Sequence, residues 1–258
     1  MTSETKMNSR LAALSAVLLF ATLWIPFGHL DFMVDHWMKV GTFAALFLLI
    51  VFFACHAQAP GNSNASFMSV AFLVAYIVHQ FEEHWIDLLG NRYAFFGYVN
   101  ALIRGALGTD DPSILPLTKA SIYVINTSLV WLVGVIAIVR ARSSVFPLLA
   151  IAAITLVNGI THVVAAVVTL SYNPGLVTSL ILFLPLSVVF YTRVLRNRAG
   201  ARILVLWSIA WAMLAHILMV AGMLAANVFQ VVPELAYFCL LVAWSLLPLF
   251  MFPSHSAE

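Results

Sequence analysis

Eight apolar stretches, each about long enough to cross a bilayer as a helix, occupy most of this 258-residue sequence. A helix needs about 20 apolar residues to cross the hydrocarbon core of a membrane. Backbone polar groups find no water there, so a crossing segment must satisfy them as a helix or in a closed barrel. The stretches predict transmembrane helices at residues 10–29, 39–57, 66–88, 119–139, 145–171, 175–193, 202–226 and 234–252.

The composition agrees with a membrane protein. Hydrophobic residues make up 63% of the chain and charged residues only 9%, whereas about a quarter of a typical soluble domain is charged. The formal net charge of +2 does not indicate nucleic-acid binding. Cys55 and Cys239 are isolated and offer neither a CxxC pair nor a disulfide framework. We therefore predict an all-α transmembrane bundle that forms a single domain over residues 1–258.

The distribution of positive charge predicts the orientation of the bundle. The polar N-terminus and first apolar run resemble a signal peptide, but no small-residue cleavage site follows, so we expect an uncleaved first span. With the N-terminus in the cytoplasm, eight basic residues lie inside and four outside, which places both termini in the cytoplasm. The inner set is Lys6, Arg10, Arg140, Arg142, Arg193, Arg196, Arg198 and Arg202, and the outer set is Lys39, Arg92, Arg104 and Lys119.

The third predicted span ends in a concentration of ionisable residues, YIVHQFEEHWIDL at 76–88. His79, Glu82 and Glu83 are spaced i, i+3 and i+4, so they share one helix face. Ionisable groups in a bilayer cost a few kcal/mol each, and adjacent carboxylates repel each other. A bound cation offsets both effects. Alternatively, Glu82 and Glu83 reach the membrane interface and are solvated by water.

Polar residues recur at one depth in the odd-numbered predicted spans. With the orientation above, six of the eight histidines fall at or toward the outer side. Asn158 and His162 share one face of the fifth span, and His216 and Asn227 lie in the seventh. We therefore predict one polar cavity among the odd-numbered spans, with His79 near His162. The even-numbered spans are less polar and resemble lipid-facing or scaffolding helices.

The longest predicted loop, residues 89–118, follows the paired glutamates directly. Its first part combines aromatic, aliphatic and arginine residues, a mixture that suits a helix lying in the membrane interface. We predict a short interfacial helix there. Such a helix either covers the polar site as a lid or serves only as an anchor.

Three motifs together resemble a known family. His79-x-x-Glu82-Glu83, the Asn158/His162 pair and Tyr172-x-Pro174-Gly175 occur in the order found in the HXXEE domain family of bacterial membrane proteins. The resemblance spans residues 67 to 180 and implies a bacterial cytoplasmic (inner) membrane, but no established activity. A weaker resemblance links Glu82-Glu83, His162 and His216 to CAAX-type membrane prenyl-protein proteases. The arginine that this family places after its glutamate pair is absent here.

The candidate site combines imidazole and carboxylate groups without a thiolate, a set that suits zinc first and iron second. His79, Glu83 and His162 are the predicted ligands, with His216 as a further ligand or a packing residue. Glu83 lies a full helical turn from His79, which favours Glu83 as the ligand. The side chain of Glu82 diverges from that of Glu83 by about 100° around the helix, so Glu82 is the predicted general base. We expect Asn158 to orient His162 or bind substrate, and Tyr172 to stabilise an oxyanion.

Several functions remain open at the level of the sequence. A metal-dependent enzyme, most simply a hydrolase, would act on a lipid or other apolar substrate that enters from the bilayer. A proton- or cation-coupled transporter would use the carboxylate–histidine series as a relay, although we find no internal repeat of the kind many transporters show. The sequence is also compatible with a di-iron centre, with a haem held by His79 and His162, and with a non-catalytic ion that joins helices.

Overall fold

The computed structural model describes residues 30–58, 64–141, 143–197 and 200–252, and its regular elements are all helices. The predicted all-α helical bundle is confirmed for this part of the chain. The first predicted span, residues 10–29, lies outside the described residues. The helices are α1 Leu30–Gln58, α2 Asn64–His84, α3 Ala94–Ala106, α4 Lys119–Arg140, α5 Phe146–Thr169, α6 Leu176–Arg196, α7 Ala201–Val228 and α8 Glu234–Phe250.

Five of the described helices are long and apolar enough to cross a membrane, namely α2, α4, α5, α6 and α7. The 24 residues of α5, for example, extend about 36 Å at 1.5 Å per residue, against a hydrocarbon core of about 30 Å. The eighth predicted span corresponds to α8, an apolar helix of 17 residues. The chain is therefore a polytopic membrane protein.

Two helix boundaries differ from the prediction. Helix α1 begins at Leu30 rather than residue 39, with Asp31 in its first turn, where the helix dipole favours an acidic side chain. Helix α2 ends at His84 rather than residue 88, because the Asp87 carboxylate closes a turn. Its Oδ1 accepts hydrogen bonds from the backbone N–H groups of Leu89 at 2.9 Å and Asn91 at 2.7 Å, and such side-chain bonds compete with helix continuation.

At each end of the bundle, hydrogen bonds link a segment between two helices to another part of the chain. At one end Asn227 donates to the carbonyl oxygen of Pro116 at 2.8 Å, and Thr118 donates to Glu234 at 3.1 Å. At the opposite end Ser144 donates to the carbonyl oxygen of Phe252 at 3.4 Å. The helices run alternately up and down. The C-terminal halves of α2, α5 and α7 therefore lie at the end of the bundle that contains Asn227 and Glu234.

The even-numbered spans differ in how far they are buried, and both predicted types, scaffolding and lipid-facing, occur among them. In the most apolar 18-residue segment of α4, 89% of the segment is buried, whereas the corresponding share is 28% in both α6 and α7. Helix α4 is central because α2, α5 and α8 pack around it. Its π-helical stretch Asn126–Leu132 is buried throughout. Similar π-helical stretches occur in α6 at Ser179–Phe183 and in α7 at Leu224–Val228, and such irregularities are frequent near functional sites.

Candidate metal centre

Three buried side chains converge between α2 and α5. The Nε2 atom of His162 lies 3.0 Å from Oε1 of Glu83, and the Nε2 atom of His79 lies 3.4 Å from the same oxygen. One donor atom from each side chain lies within 4.8 Å of the other two. The predicted approach of His79 and His162 is therefore confirmed, and the pair encloses Glu83.

The tautomer of His79 follows from its neighbour Thr178, at the start of α6. The hydroxyl of Thr178 lies 2.6 Å from Oε2 of Glu82 and 2.8 Å from Nδ1 of His79. The hydroxyl donates its single proton to the Glu82 carboxylate, so its oxygen accepts a bond from the Nδ1–H group of His79. The Nε2 atom of His79 then carries a lone pair, and this buried atom has no hydrogen-bond partner.

The tautomer of His162 is set in the same way by Asn173. The amide nitrogen of Asn173 donates to the backbone oxygen of His162 at 3.0 Å, which orients the side-chain amide. Its Oδ1 atom, an acceptor only, lies 2.6 Å from Nδ1 of His162. His162 therefore carries a proton on Nδ1, and its Nε2 atom faces Glu83.

This arrangement fits a cation. With both imidazoles neutral, two nitrogen lone pairs and a carboxylate oxygen face one another in a buried space, and a cation between them removes their repulsion. Zinc ligands at about 2.0–2.2 Å in a tetrahedral arrangement lie roughly 3.3–3.5 Å apart, close to the observed 3.0 and 3.4 Å. Ligating histidines also usually donate their other ring N–H to an acceptor, as both do here.

Gly175 lies directly against the cluster. A Cβ atom at this position would lie 2.7 Å from Cε1 of His162 and 2.8 Å from Cε1 of His79. The φ angle of +96° also favours glycine. Gly175 stands out in the sequence only as part of a motif, although a glycine before a helix is the type of residue that permits close backbone approach.

Glu82 does not have the surroundings expected of a general base. Its carboxylate accepts hydrogen bonds from the Tyr172 hydroxyl at 2.9 Å, the Thr178 hydroxyl at 2.6 Å, and the backbone N–H groups of Val177 at 3.3 Å and Thr178 at 2.9 Å. These donors surround the N-terminus of α6, where unpaired N–H groups and the helix dipole favour an anion. Glu82 thus anchors α6 to α2.

Tyr172 uses its only hydroxyl proton on Glu82, so the geometry does not leave it free to donate to an oxyanion. Its oxygen also accepts a bond from the backbone N–H of Leu88 at 3.3 Å. Burial raises the pKa of the Tyr172 phenol, and the bond to Glu82 acts in the same direction. Tyr172 therefore stays protonated and holds the loop before α6 against the end of α2.

Asn158 and His216 also lie elsewhere than expected. Asn158 donates to the hydroxyl of Tyr76 at 2.5 Å, and it is Asn173 that holds His162. His216 is not part of the cluster, because the donor atoms that lie within 4.8 Å of one another belong to His79, Glu83 and His162 alone among the described residues. The Nδ1 atom of His216 lies 2.8 Å from the carbonyl oxygen of Ala212 in its own helix. Asn173 and Thr178 were not predicted from the sequence as site residues, although both lie within three residues of Gly175.

A directional series of buried hydrogen bonds supports the end of α2. The Trp131 indole, a donor only, bonds to Oε1 of Gln80 at 2.7 Å, and Nε2 of Gln80 donates to Oδ1 of Asn126 at 2.8 Å. The amide nitrogen of Asn126 then faces Nε2 of His84 at 3.2 Å. Because the indole cannot accept, each later group has only one consistent orientation. His84 is therefore an acceptor at Nε2, 3.4 Å from Oε2 of Glu83.

A cavity of about 280 Å³ adjoins the cluster on the side of α3, α4 and α7. Glu83 and His162 line it together with mainly apolar side chains. Helix α3 covers part of this space, and the ring of its Phe95 lies 5.0 Å from that of His84 and 6.1 Å from that of His162. The helix predicted in the loop after the third span is therefore present, and it lies beside the site.

Residues 70–190 match a family model described as a protein of unknown function with HXXEE motif. The matched segment includes the three donors of the cluster and Gly175. No curated protein and no solved structure gives a significant match to the chain. The resemblance predicted from the motifs is confirmed, because residues 70–190 of this membrane protein match the HXXEE family model.

Proposed function

We propose that this chain is a membrane metalloenzyme in which His79, Glu83 and His162 hold one divalent cation. The observation that carries the proposal is the convergence of two Nε2 atoms on one carboxylate oxygen, with both Nδ1 atoms bonded to acceptors. The nitrogen and oxygen ligands favour zinc, with iron second. A single carboxylate in the cluster argues against a di-iron centre, which usually has about four.

The chemistry that fits is hydrolysis of a lipid or another apolar substrate. Catalytic zinc sites have three protein ligands and one open position, whereas structural sites have four protein ligands. Zinc in such a site polarises a carbonyl group and makes water more acidic. The apolar cavity beside Glu83 and His162 provides space for a substrate next to that position. A haem fits less well, because Glu83 occupies the space between His79 and His162.

Residues around the ligands act as positioning residues. Thr178 and Asn173 hold the two imidazoles in the tautomer that binds metal. Glu82 fixes Thr178 and the N-terminus of α6, so we now assign it a positioning role instead of that of a general base. These bonds keep the three donor atoms in place, as hydrogen bonds to the ligands do in other metal sites.

Metal analysis of separate glutamine variants tests the centre. Purified wild-type protein should contain one metal ion per chain, and Glu83→Gln should lose it because the amide offers no negative charge. Glu82→Gln and His216→Gln should retain it, since neither residue belongs to the cluster. Equal metal content in the Glu83→Gln and wild-type proteins would exclude the proposed centre. Loss of metal from His216→Gln would show that α7 supplies a ligand.

Turnover tests the enzymatic part. Zinc-loaded protein in lipid nanodiscs should hydrolyse long-chain ester substrates, and removal of the metal with a chelator should stop the reaction. Glu83→Gln should be inactive under the same conditions. Metal-bound protein that hydrolyses no ester or amide would contradict the enzymatic proposal and leave a structural metal site.

A further inference from the structure

The cavity beside the metal centre extends to the surface of the bundle. Its inner wall includes the buried residues Tyr76, Ile154 and His162. Its outer wall includes Leu102 of α3 and Val220 of α7, both of which are exposed. The cavity therefore leads from the cluster to an opening between α3, α5 and α7.

The surface around this opening is apolar. Ile160 and Val164 of α5 and Ile217 of α7 are exposed side chains close in sequence to residues that line the cavity. Helices α5 and α7 are both long enough to cross a membrane, so these side chains face lipid. A molecule that enters here comes from the bilayer and not from water.

The charge of the cavity restricts the polar end of its ligand. Glu83 is the single acidic residue among the lining side chains, and neither lysine nor arginine lines the cavity in the described part of the chain. The other polar groups are amides, hydroxyls and imidazoles, such as those of Asn158, Thr161 and His216. Phosphate recognition normally uses arginine or lysine. A phosphorylated headgroup would therefore have no basic side chain to bind it, and only the proposed divalent cation could do so.

The size of the cavity restricts the apolar part of the ligand that it can bind. Its volume of about 280 Å³ is near the lower limit of small-molecule sites, about 300–1,000 Å³. This space suits one hydrocarbon chain better than the paired chains of a phospholipid. We infer that the cavity binds an uncharged single-chain lipid, such as a fatty ester or alcohol, with its polar end at His79, Glu83 and His162.

This inference rests on the proposed metal centre, and a cavity-filling variant separates the two. Ala165 of α5 lines the cavity, whereas its neighbour Val164 is exposed and does not. Zinc-loaded wild-type protein in amphipol should bind radiolabelled 1-decanol saturably. Ala165→Phe should weaken binding at least tenfold and retain its zinc, and the matched control Val164→Phe should bind like the wild type. Equal decanol affinity in Ala165→Phe and Val164→Phe would overturn the inference, whatever their zinc content.

Two further measurements use the unaltered protein. A diazirine-bearing decanol analogue should label Leu102 or Val220 on illumination, and excess decyl acetate should prevent the labelling. Labelling confined to other lipid-facing residues would overturn the inference even if Ala165→Phe fails to fold. Decyl phosphate should compete at least tenfold more weakly than decyl acetate, and equal competition would contradict an uncharged polar end. Absence of any bound divalent cation from the wild-type protein would instead refute the proposed function.

Discussion

Glu82 and Glu83 are adjacent in the sequence, yet they serve different parts of the structure. Successive helical residues diverge by about 100°, so Glu83 faces the two histidines and Glu82 faces the N-terminus of α6. The Thr178 hydroxyl links the two environments because it bonds both Glu82 and His79. The paired glutamates thus provide one ligand and one anchor for the residue that orients another ligand.

The role of Thr178 predicts a weaker metal site when its hydroxyl is removed. Thr178→Val should raise the Kd for zinc by about 10–100-fold, the usual effect of losing a hydrogen-bond partner of a ligand. Thr178→Ser keeps the hydroxyl and is the matched control, with an affinity near that of the wild type. Competition with a chromophoric chelator measures both constants. Identical affinities in the two variants would mean that Thr178 does not orient His79.

Gly175 should not tolerate a side chain. Gly175→Ala places a Cβ atom against both histidines, in addition to the cost of a positive φ angle, about 1–2 kcal/mol. Gly200 has a similar φ of +75°, but a Cβ atom there would have no neighbour within 4 Å, so Gly200→Ala carries only the backbone cost. We expect metal loss in Gly175→Ala alone, measured as zinc per chain. Equal zinc content in the two variants would show that close approach does not matter.

At the scale of elements, α4 contributes a buried polar surface and not a lipid-facing one. Its π-helical stretch includes both Asn126 and Trp131, which continue the series of hydrogen bonds from Gln80 to His84. A buried polar group left without a partner costs about 1–3 kcal/mol. The series therefore stabilises the packing of α4 on α2 only when every member is present.

A double-mutant cycle tests this dependence. Trp131→Phe leaves Oε1 of Gln80 without its donor, and Gln80→Leu leaves the Trp131 indole without its acceptor. We expect each variant to lower the free energy of unfolding, and the double variant to lose about 0.5–3 kcal/mol less than the sum. Denaturant titration in detergent micelles provides the four values. Additive losses would indicate that the two side chains are energetically independent.

At the scale of the molecule, the candidate metal centre lies at one end of the bundle. Helices α2 and α5 end there and α6 begins there, so residues distant in the sequence meet around Glu83. The excess of Lys and Arg in the predicted inner loops predicts that this end faces the outer side of the membrane, with both termini in the cytoplasm.

Thiol labelling tests this orientation. In a variant with Cys55→Ser and Cys239→Ser, Ser113→Cys introduces a thiol in the loop before α4, and Ser143→Cys one between α4 and α5. Both positions are exposed. A membrane-impermeant maleimide should label Ser113→Cys in intact cells and label Ser143→Cys only after lysis. The reverse pattern would invert the bundle and move the site to the cytoplasmic side.

The helical bundle and the pairing of His79 with Glu83 were predictable from the sequence, because both depend on local geometry. Apolar length determines a crossing helix, and a spacing of i, i+4 places two side chains on one face. The common depth of the polar residues also predicted that His162 of α5 approaches His79, as the structure confirms.

Other assignments depended on how the helices pack. Asn158 lies one turn from His162 but bonds Tyr76, whereas Asn173 reaches His162 from a loop. Glu82 meets the start of α6 because that helix begins beside α2. His216 shares the cavity but bonds its own backbone. Periodicity orients a side chain around its own helix, whereas the partner it meets there is determined by the neighbouring helix and loop, which only the tertiary structure places.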